Sequence, residues 1–151
     1  MISKKAEYAI NILTELAKQQ DPQDKYHSSK KIAEIGEIPP NLVHQLVSTM
    51  QKEGLVHSAR GPKGGISLAQ APEQISLKQV VEIFDGKIGI TRCLLDKNYC
   101  HKTDNCPLHQ IWSNMQGKMI SELEKTNIKE LARAYERADN NTGEKVPEAK
   151  K

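Results

Sequence analysis

Between residues 28 and 69 the chain reads SSKKIAEIGEIPPNLVHQLVSTMQKEGLVHSARGPKGGISLA. Ser28 or Ser29 supplies a side-chain oxygen to cap a short helix carrying Ile32, Ala33 and Ile35, which stops at Gly36. Pro39-Pro40 falls where proline is tolerated, at the start of a helix with Leu42, Val43, Leu46, Val47 and Met50 inward. Gly54 ends that helix. Leu55-Val56-His57-Ser58-Ala59 and Ile66-Ser67-Leu68-Ala69 then read as two short strands joined by the turn Arg60-Gly61-Pro62-Lys63-Gly64-Gly65.

Upstream, Ala6, Ala9, Ile10, Leu13, Leu16 and Ala17 recur at intervals of three and four, which predicts an amphipathic helix over residues 3–20 ending at Asp21-Pro22-Gln23-Asp24. Helix, short helix, tight turn, helix is the spacing of a helix-turn-helix, and a hairpin directly behind it is a wing. Downstream, Leu77, Val80, Val81 and Phe84 mark a further helix closed by Asp85-Gly86. No period survives from Lys87 to Cys106, which predicts a functional loop. After Pro107, the residues Leu108, Ile111, Trp112, Met115, Met119, Ile120 and Leu123 form one long helical stripe that includes the only Trp. Thr126-Asn127 interrupts it, Ile128 to Ala138 forms a last helix, and the polar run from Asp139 to Lys151 reads as a disordered tail. The fold class is therefore mainly α with a small β-hairpin wing. Its parts are a winged helix-turn-helix domain (1–86), a cysteine loop (87–106), the long and last helices (107–138) and a tail (139–151).

A chain of 151 residues fits one domain. Its net charge of +3, with 27% charged residues, permits nucleic acid as a partner without demonstrating it. The N-terminal MISKKAEYAI lacks the apolar core of a secretory signal, and no run is long enough to span a membrane, so a cytoplasmic location is expected. Three clustered cysteines make a poor disulfide framework and point to metal or redox chemistry.

The polar face of the third helix carries Asn41, His44, Gln45, Ser48 and Thr49, among which Asn and Gln can pair bidentately with adenine in a major groove. Lys30, Lys31, Lys52, Arg60 and Lys63 surround it with capacity for phosphate contacts. Cys93, Cys100, Cys106 and His109 follow with intervals of six, five and two residues. Thiolate and imidazole suit zinc or an iron-sulfur cluster, and spacing alone does not choose between them. A Cys-Cys-Cys-His zinc protein binding single-stranded RNA is a third reading, against which the helix-turn-helix and wing both stand. Cys106 with His109, or Cys100 with His101, could form an activated thiolate pair, but no oxyanion hole or substrate pocket is legible and no enzyme is expected. His27 and His57 read as ordinary surface residues.

Glu7-Tyr8-Ala9, the segment from Lys31-Ile32-Ala33 to Pro39, Gly54-Leu55-Val56 with the wing turn, and the three cysteines together resemble the Rrf-two family of bacterial winged-helix regulators. The resemblance spans roughly residues 1–135. It implies a homodimer paired through the long helix after the cysteine loop, reading palindromic double-stranded DNA, and it implies a repressor responding to iron-sulfur status, iron, oxygen or nitric oxide. It also implies an iron-sulfur cluster held by Cys93, Cys100 and Cys106, with His109 as fourth ligand to a 2Fe-2S cluster. In other members, among which 4Fe-4S clusters occur, the extra ligand is a carboxylate from the other subunit, and Glu7 is the matching residue. Asn41, His44 and Gln45 would stand at base edges and Arg60 in the minor groove. Ile66 replaces the family's usual aromatic after the wing glycines. The alternative keeps the winged helix and uses the cysteines as a thiol redox switch or a structural zinc site.

Overall fold

The computed structural model describes residues 1–18 and 26–142. The turn expected at Asp21–Asp24 and the tail beyond Thr142 lie outside the described residues. Helix α1 (Lys4–Lys18) turns Ala6, Ala9, Ile12, Leu13, Leu16 and Ala17 inward. Helix α2 (Ser29–Gly36) is capped by Ser28, whose side chain accepts from the Lys31 N–H at 3.1 Å. The residue that turns the chain out of α2 is Glu37, not the neighbouring glycine, with φ at 50° in the left-handed region. Helix α3 (Pro40–Lys52) opens on proline and buries Val43, Leu46, Val47 and Met50. Full burial of a side chain of this size contributes about 1.5–3 kcal/mol, so the three helices hold together mainly through this shared apolar seam.

Strands β1 (Val56–Ala59) and β2 (Gly65–Leu68) pair antiparallel with Val56 opposite Leu68 and Ala59 opposite Gly65. A third piece of backbone joins them. The His27 N–H donates to the Ile66 carbonyl at 2.9 Å, and the Ile66 N–H returns to the His27 carbonyl at 2.7 Å. His27 is thus buried at the root of the wing, contrary to the surface position expected for it, because the bridge draws the chain before α2 onto β2. His57 is exposed, as expected.

After a 3-10 turn at Pro72–Gln74, helix α4 (Leu77–Asp85) is capped by Ser76, which accepts from the Gln79 N–H at 3.1 Å. The segment 87–106 holds more regular structure than its sequence suggests, with a one-turn helix α5 (Arg92–Leu95) and a 3-10 turn at Thr103–Asn105. Helix α6 (Pro107–Lys125) follows, and helix α7 (Ile128–Thr142) runs four residues past the expected end at Ala138. Asp139 to Thr142 are helical rather than part of a tail. Isolated polar sequence carries no signal for this continuation of a helix already nucleated upstream.

Helix α7 packs along α1, and Ile128 and Ala132 belong to the same buried core as α1 to α4. Helix α6 packs on α4 and α5 but adds nothing to that core. None of its nineteen described residues is buried.

Gly65 carries a strong geometric constraint. Its φ is 145°, and a Cβ there would stand 2.5 Å from the His27 carbonyl oxygen. Gly65→Ala should cost roughly 2 kcal/mol of stability in urea unfolding, and an unchanged midpoint would contradict the close approach of wing and α2.

Candidate nucleic-acid interface and cysteine segment

The cap at Ser28 and the proline start at Pro40 set two helices around a tight turn, so the polar face of α3 is left outward. Asn41, His44, Gln45 and Ser48 are all exposed on it. Thr49 is half-buried and its hydroxyl donates back to the Gln45 carbonyl at 3.1 Å, which removes it from the outward set. Lys30, Lys31, Lys52, Arg60 and Lys63 are exposed. Lys30 reaches Glu34 only at 4.0 Å across a solvated helix face, a pair worth little and easily exchanged for a phosphate. A cleft of about 790 Å³ between α2 and α3 is lined by Lys30, Glu34, Glu37, Pro39 and His44, so His44 looks into a groove that also carries two carboxylates. Arg60 and Lys63 sit on the wing turn, closed by the Gly64 N–H donating to the Gly61 carbonyl at 3.0 Å.

The cysteine segment begins where α4 ends. The Ile90 N–H donates to Gln116 Oε1 at 3.0 Å, fastening the segment to α6. Cys93 is the second residue of α5, its Sγ shares a hydrogen bond of 3.1 Å with Thr91 Oγ1, and α5 packs on α6. Cys100 follows after Tyr99, over which the Arg92 guanidinium stands at 5.9 Å. Cys106 is the N-cap residue of α6, and Pro107 is its first helical residue. His109 lies in the first turn with its Nδ1 buried and without a hydrogen-bond partner. Cys106 and His109 line one depression of about 490 Å³.

All three cysteines are free and half-buried. Three thiols and an imidazole with an orphaned nitrogen form a donor set of the kind that iron and zinc accept. The four side chains are not all brought together: among the described residues, no three His, Cys, Asp or Glu side chains are grouped so as to hold one metal ion. Glu7 lies in the first turn of α1, exposed, and its carboxylate accepts from Lys4 Nζ at 2.8 Å, which holds the Lys4 ammonium above its ordinary pKa. Thr91 and Gln116, which fasten the segment, went unread in the sequence, where a lone Thr and a Gln on a helix carry no pattern.

The apolar stripe of α6 divides in two. Trp112, Ile120 and Leu123 are half-buried, while Leu108, Ile111, Met115 and Met119 are exposed along the other side. Among the described residues, no helix is long and apolar enough to cross a membrane.

A helix-turn-helix with a cationic wing and an outward polar reading helix defines a winged-helix transcriptional regulator. The chain belongs to the Rrf2 family, described as iron-dependent transcriptional regulators, whose pattern matches residues 2–134. These are regulators and not enzymes. The chain is 29% identical to the HTH-type transcriptional regulator IscR of Xenorhabdus nematophila over 91% of its own length and 82% of the relative's. Among solved structures, CymR, the global cysteine regulator of B. subtilis, superposes with a TM-score of 0.74 at 26% identity, covering 89% of this chain and 97% of that one. The oxidized form of Staphylococcus aureus CymR gives 0.68 at 27% identity, covering 87% and 95%.

With no disulfide among them, Cys93, Cys100 and Cys106 should all react with a thiol reagent in the native, reduced chain. A titration giving three equivalents without denaturant is expected, and fewer would contradict the partial exposure of all three.

Proposed function

We propose that this protein is a cytoplasmic, homodimeric repressor that reads double-stranded DNA with α3 and the wing and senses its signal through an iron-sulfur cluster on Cys93, Cys100 and Cys106. The observation that carries the reading is the placement of the donor set. The three half-buried thiols and the orphaned His109 Nδ1 lie on the segment that leads from the reading head into the exposed helix α6. Likeness to IscR supports the cluster.

The Cys106 and His109 side chains would supply one half of the binding site from the start of α6, and Cys93 and Cys100 would complete it when the segment 87–106 folds in. His109 is the favoured fourth ligand, which points to 2Fe-2S. Glu7 of the partner subunit is the alternative, with 4Fe-4S. When bound, the cluster would supply iron whose loss or reaction with oxygen or nitric oxide changes what ties the segment together. Asn41, His44, Gln45 and Ser48 would face base edges, and Arg60 and Lys63 the backbone and minor groove. The exposed Leu108, Ile111, Met115 and Met119 would pair with the same stripe of a second copy, setting two reading heads on a palindromic operator.

A second reading has its own support. The thiols do not form a metal-holding group among the described residues, and one similar structure is of an oxidized CymR. On this reading the cysteines form a thiol redox switch, or a structural zinc site once the segment closes.

Anaerobic reconstitution with ferrous iron and sulfide separates these. Visible absorbance with bound iron and sulfide in the wild type, lost in Cys100→Ala with the fold retained, is the expected result. A colourless protein without iron would leave the thiol or zinc reading. Ile111→Glu combined with Met115→Glu should give a monomer in sedimentation, and a persistent dimer would place the interface elsewhere. Gln45→Ala should lower discrimination between a selected duplex and random duplex by about 1–3 kcal/mol, while an equal loss on both would assign Gln45 to the backbone.

A further inference from the structure

Helix α4 is held at both ends. At its start, the Leu77 N–H donates to the Thr126 carbonyl at 3.0 Å and the Ile128 N–H to the Ile75 carbonyl at 2.9 Å. At its end, the Asp85 carboxylate takes two hydrogen bonds from Ser3, one from the backbone N–H to Oδ2 at 2.8 Å and one from the hydroxyl to Oδ1. The same serine opens α1. Its Oγ accepts from the Ala6 N–H at 3.2 Å, and its carbonyl from the Glu7 N–H at 3.0 Å. One carboxylate therefore joins the cap of the first helix of the head to the last residue of α4, across 82 positions of sequence.

The next residue is Gly86, with φ at 76° and nothing within 4 Å of the place a Cβ would take. Its N–H donates to the Glu82 carbonyl at 3.0 Å, so the exit of the chain is tied to the last turn of α4. Beyond it, the stretch from Lys87 to Ile90 leads directly to Cys93 and is fastened to α6 through Gln116. Beneath lies a cavity of about 350 Å³ lined by Met1, Ile2, Val81, Ile88, Met119 and Leu123, which leaves the stretch room to shift without unpacking the core. The clasp itself is exposed, so its two hydrogen bonds can open and close against water.

We infer that the Ser3–Asp85 clasp, next to the α4 exit at Gly86, is the joint through which the state of the cysteine segment reaches the DNA-reading head, with Asp85 as its positioning residue. The inference rests on the proposed arrival of the signal at that segment. With the stretch 87–90 docked against α6, Asp85 faces Ser3 and the cap of α1 is fixed. When a change at the cysteines displaces that stretch, the Gly86 N–H bonded to the Glu82 carbonyl carries the displacement into the last turn of α4, Asp85 draws away from Ser3, the cap loosens, and α1 shifts against α2 and α3, on which it packs. Such a joint requires two arrangements of the clasp, closed and open, with different free energies in the two cysteine states.

The test uses the full chain with its cysteines free or carboxamidomethylated by iodoacetamide, a probe that requires no metal. Amide exchange at Ala6 and Glu7 is followed by NMR in the wild type, Asp85→Ala and Ser3→Thr, which keeps both donors. Alkylation should speed exchange at these two amides in the wild type and in Ser3→Thr. In Asp85→Ala exchange should be fast in both cysteine states. Affinity for a duplex selected from a random pool should differ between the two states on the order of tenfold in the wild type and less than about twofold in Asp85→Ala. A clasp that merely stabilises the fold would lower the melting temperature of Asp85→Ala while leaving its response to alkylation intact, and that result overturns the inference. So does a wild type whose Ala6 and Glu7 amides ignore alkylation. If alkylation leaves wild-type DNA affinity unchanged, the sensing role of the segment fails. If affinity responds equally in wild type and Asp85→Ala, only the clasp fails.

Discussion

Two backbone hydrogen bonds, from Leu77 N–H to the Thr126 carbonyl and from Ile128 N–H to the Ile75 carbonyl, determine where α6 ends and which way the chain goes next. They form a short antiparallel bridge between Ser76 and Asn127. Side-chain pairs reinforce it, with Lys78 Nζ at 3.2 Å from Glu124 and Lys129 bonded to Glu73, which holds the Glu73 carboxyl below the usual carboxylate range. Because of this bridge, α7 turns back onto α1 and adds Ile128 and Ala132 to the core. At a rise of 1.5 Å per residue, the other end of α6 then stands about 28 Å away, and that is the end carrying Cys106 and His109. The chain thus places Cys106 and His109 at the far end of a helix that its own core does not cover.

The reading head depends on a similar economy of backbone contacts. The exchange of hydrogen bonds between His27 and Ile66 ties the wing to the residue just before the cap of α2, so the wing turn and α3 are set on one framework. Ile66 and His27 are both buried there. The wing turn with Arg60 and Lys63 and the polar face of α3 are therefore held in one rigid relation.

The helix-turn-helix and wing were legible because each boundary has its own chemistry: a serine cap at Ser28, prolines at the start of α3, and a glycine-rich turn between two short strands. His27 was misjudged because a single bridging residue has no period to reveal it. The four-residue α5 is too short for a hydrophobic pattern, and the Ser3–Asp85 contact joins residues 82 apart in sequence, where no local signal exists. The stripe on α6 was found, but periodicity displays one apolar arc and does not tell that Trp112 and Leu123 turn toward the body while Ile111 and Met115 turn away. The cysteines and His109 were identified from residue type and spacing. Their separation in space could not be, since segment 87–106 is held by polar contacts such as Thr91 with Cys93 and Ile90 with Gln116 rather than by a repeating pattern.

These features divide the molecule into a winged-helix head, a helix with an exposed apolar stripe, and a thiol-bearing segment between them. The most direct test is the affinity of the dimer for a duplex selected from a random pool, measured anaerobically after loading with ferrous iron and sulfide and again after chelation. A change on the order of tenfold that disappears in Cys100→Ala is the predicted result. Equal affinity in both states, with the same value in Cys100→Ala, would contradict the account.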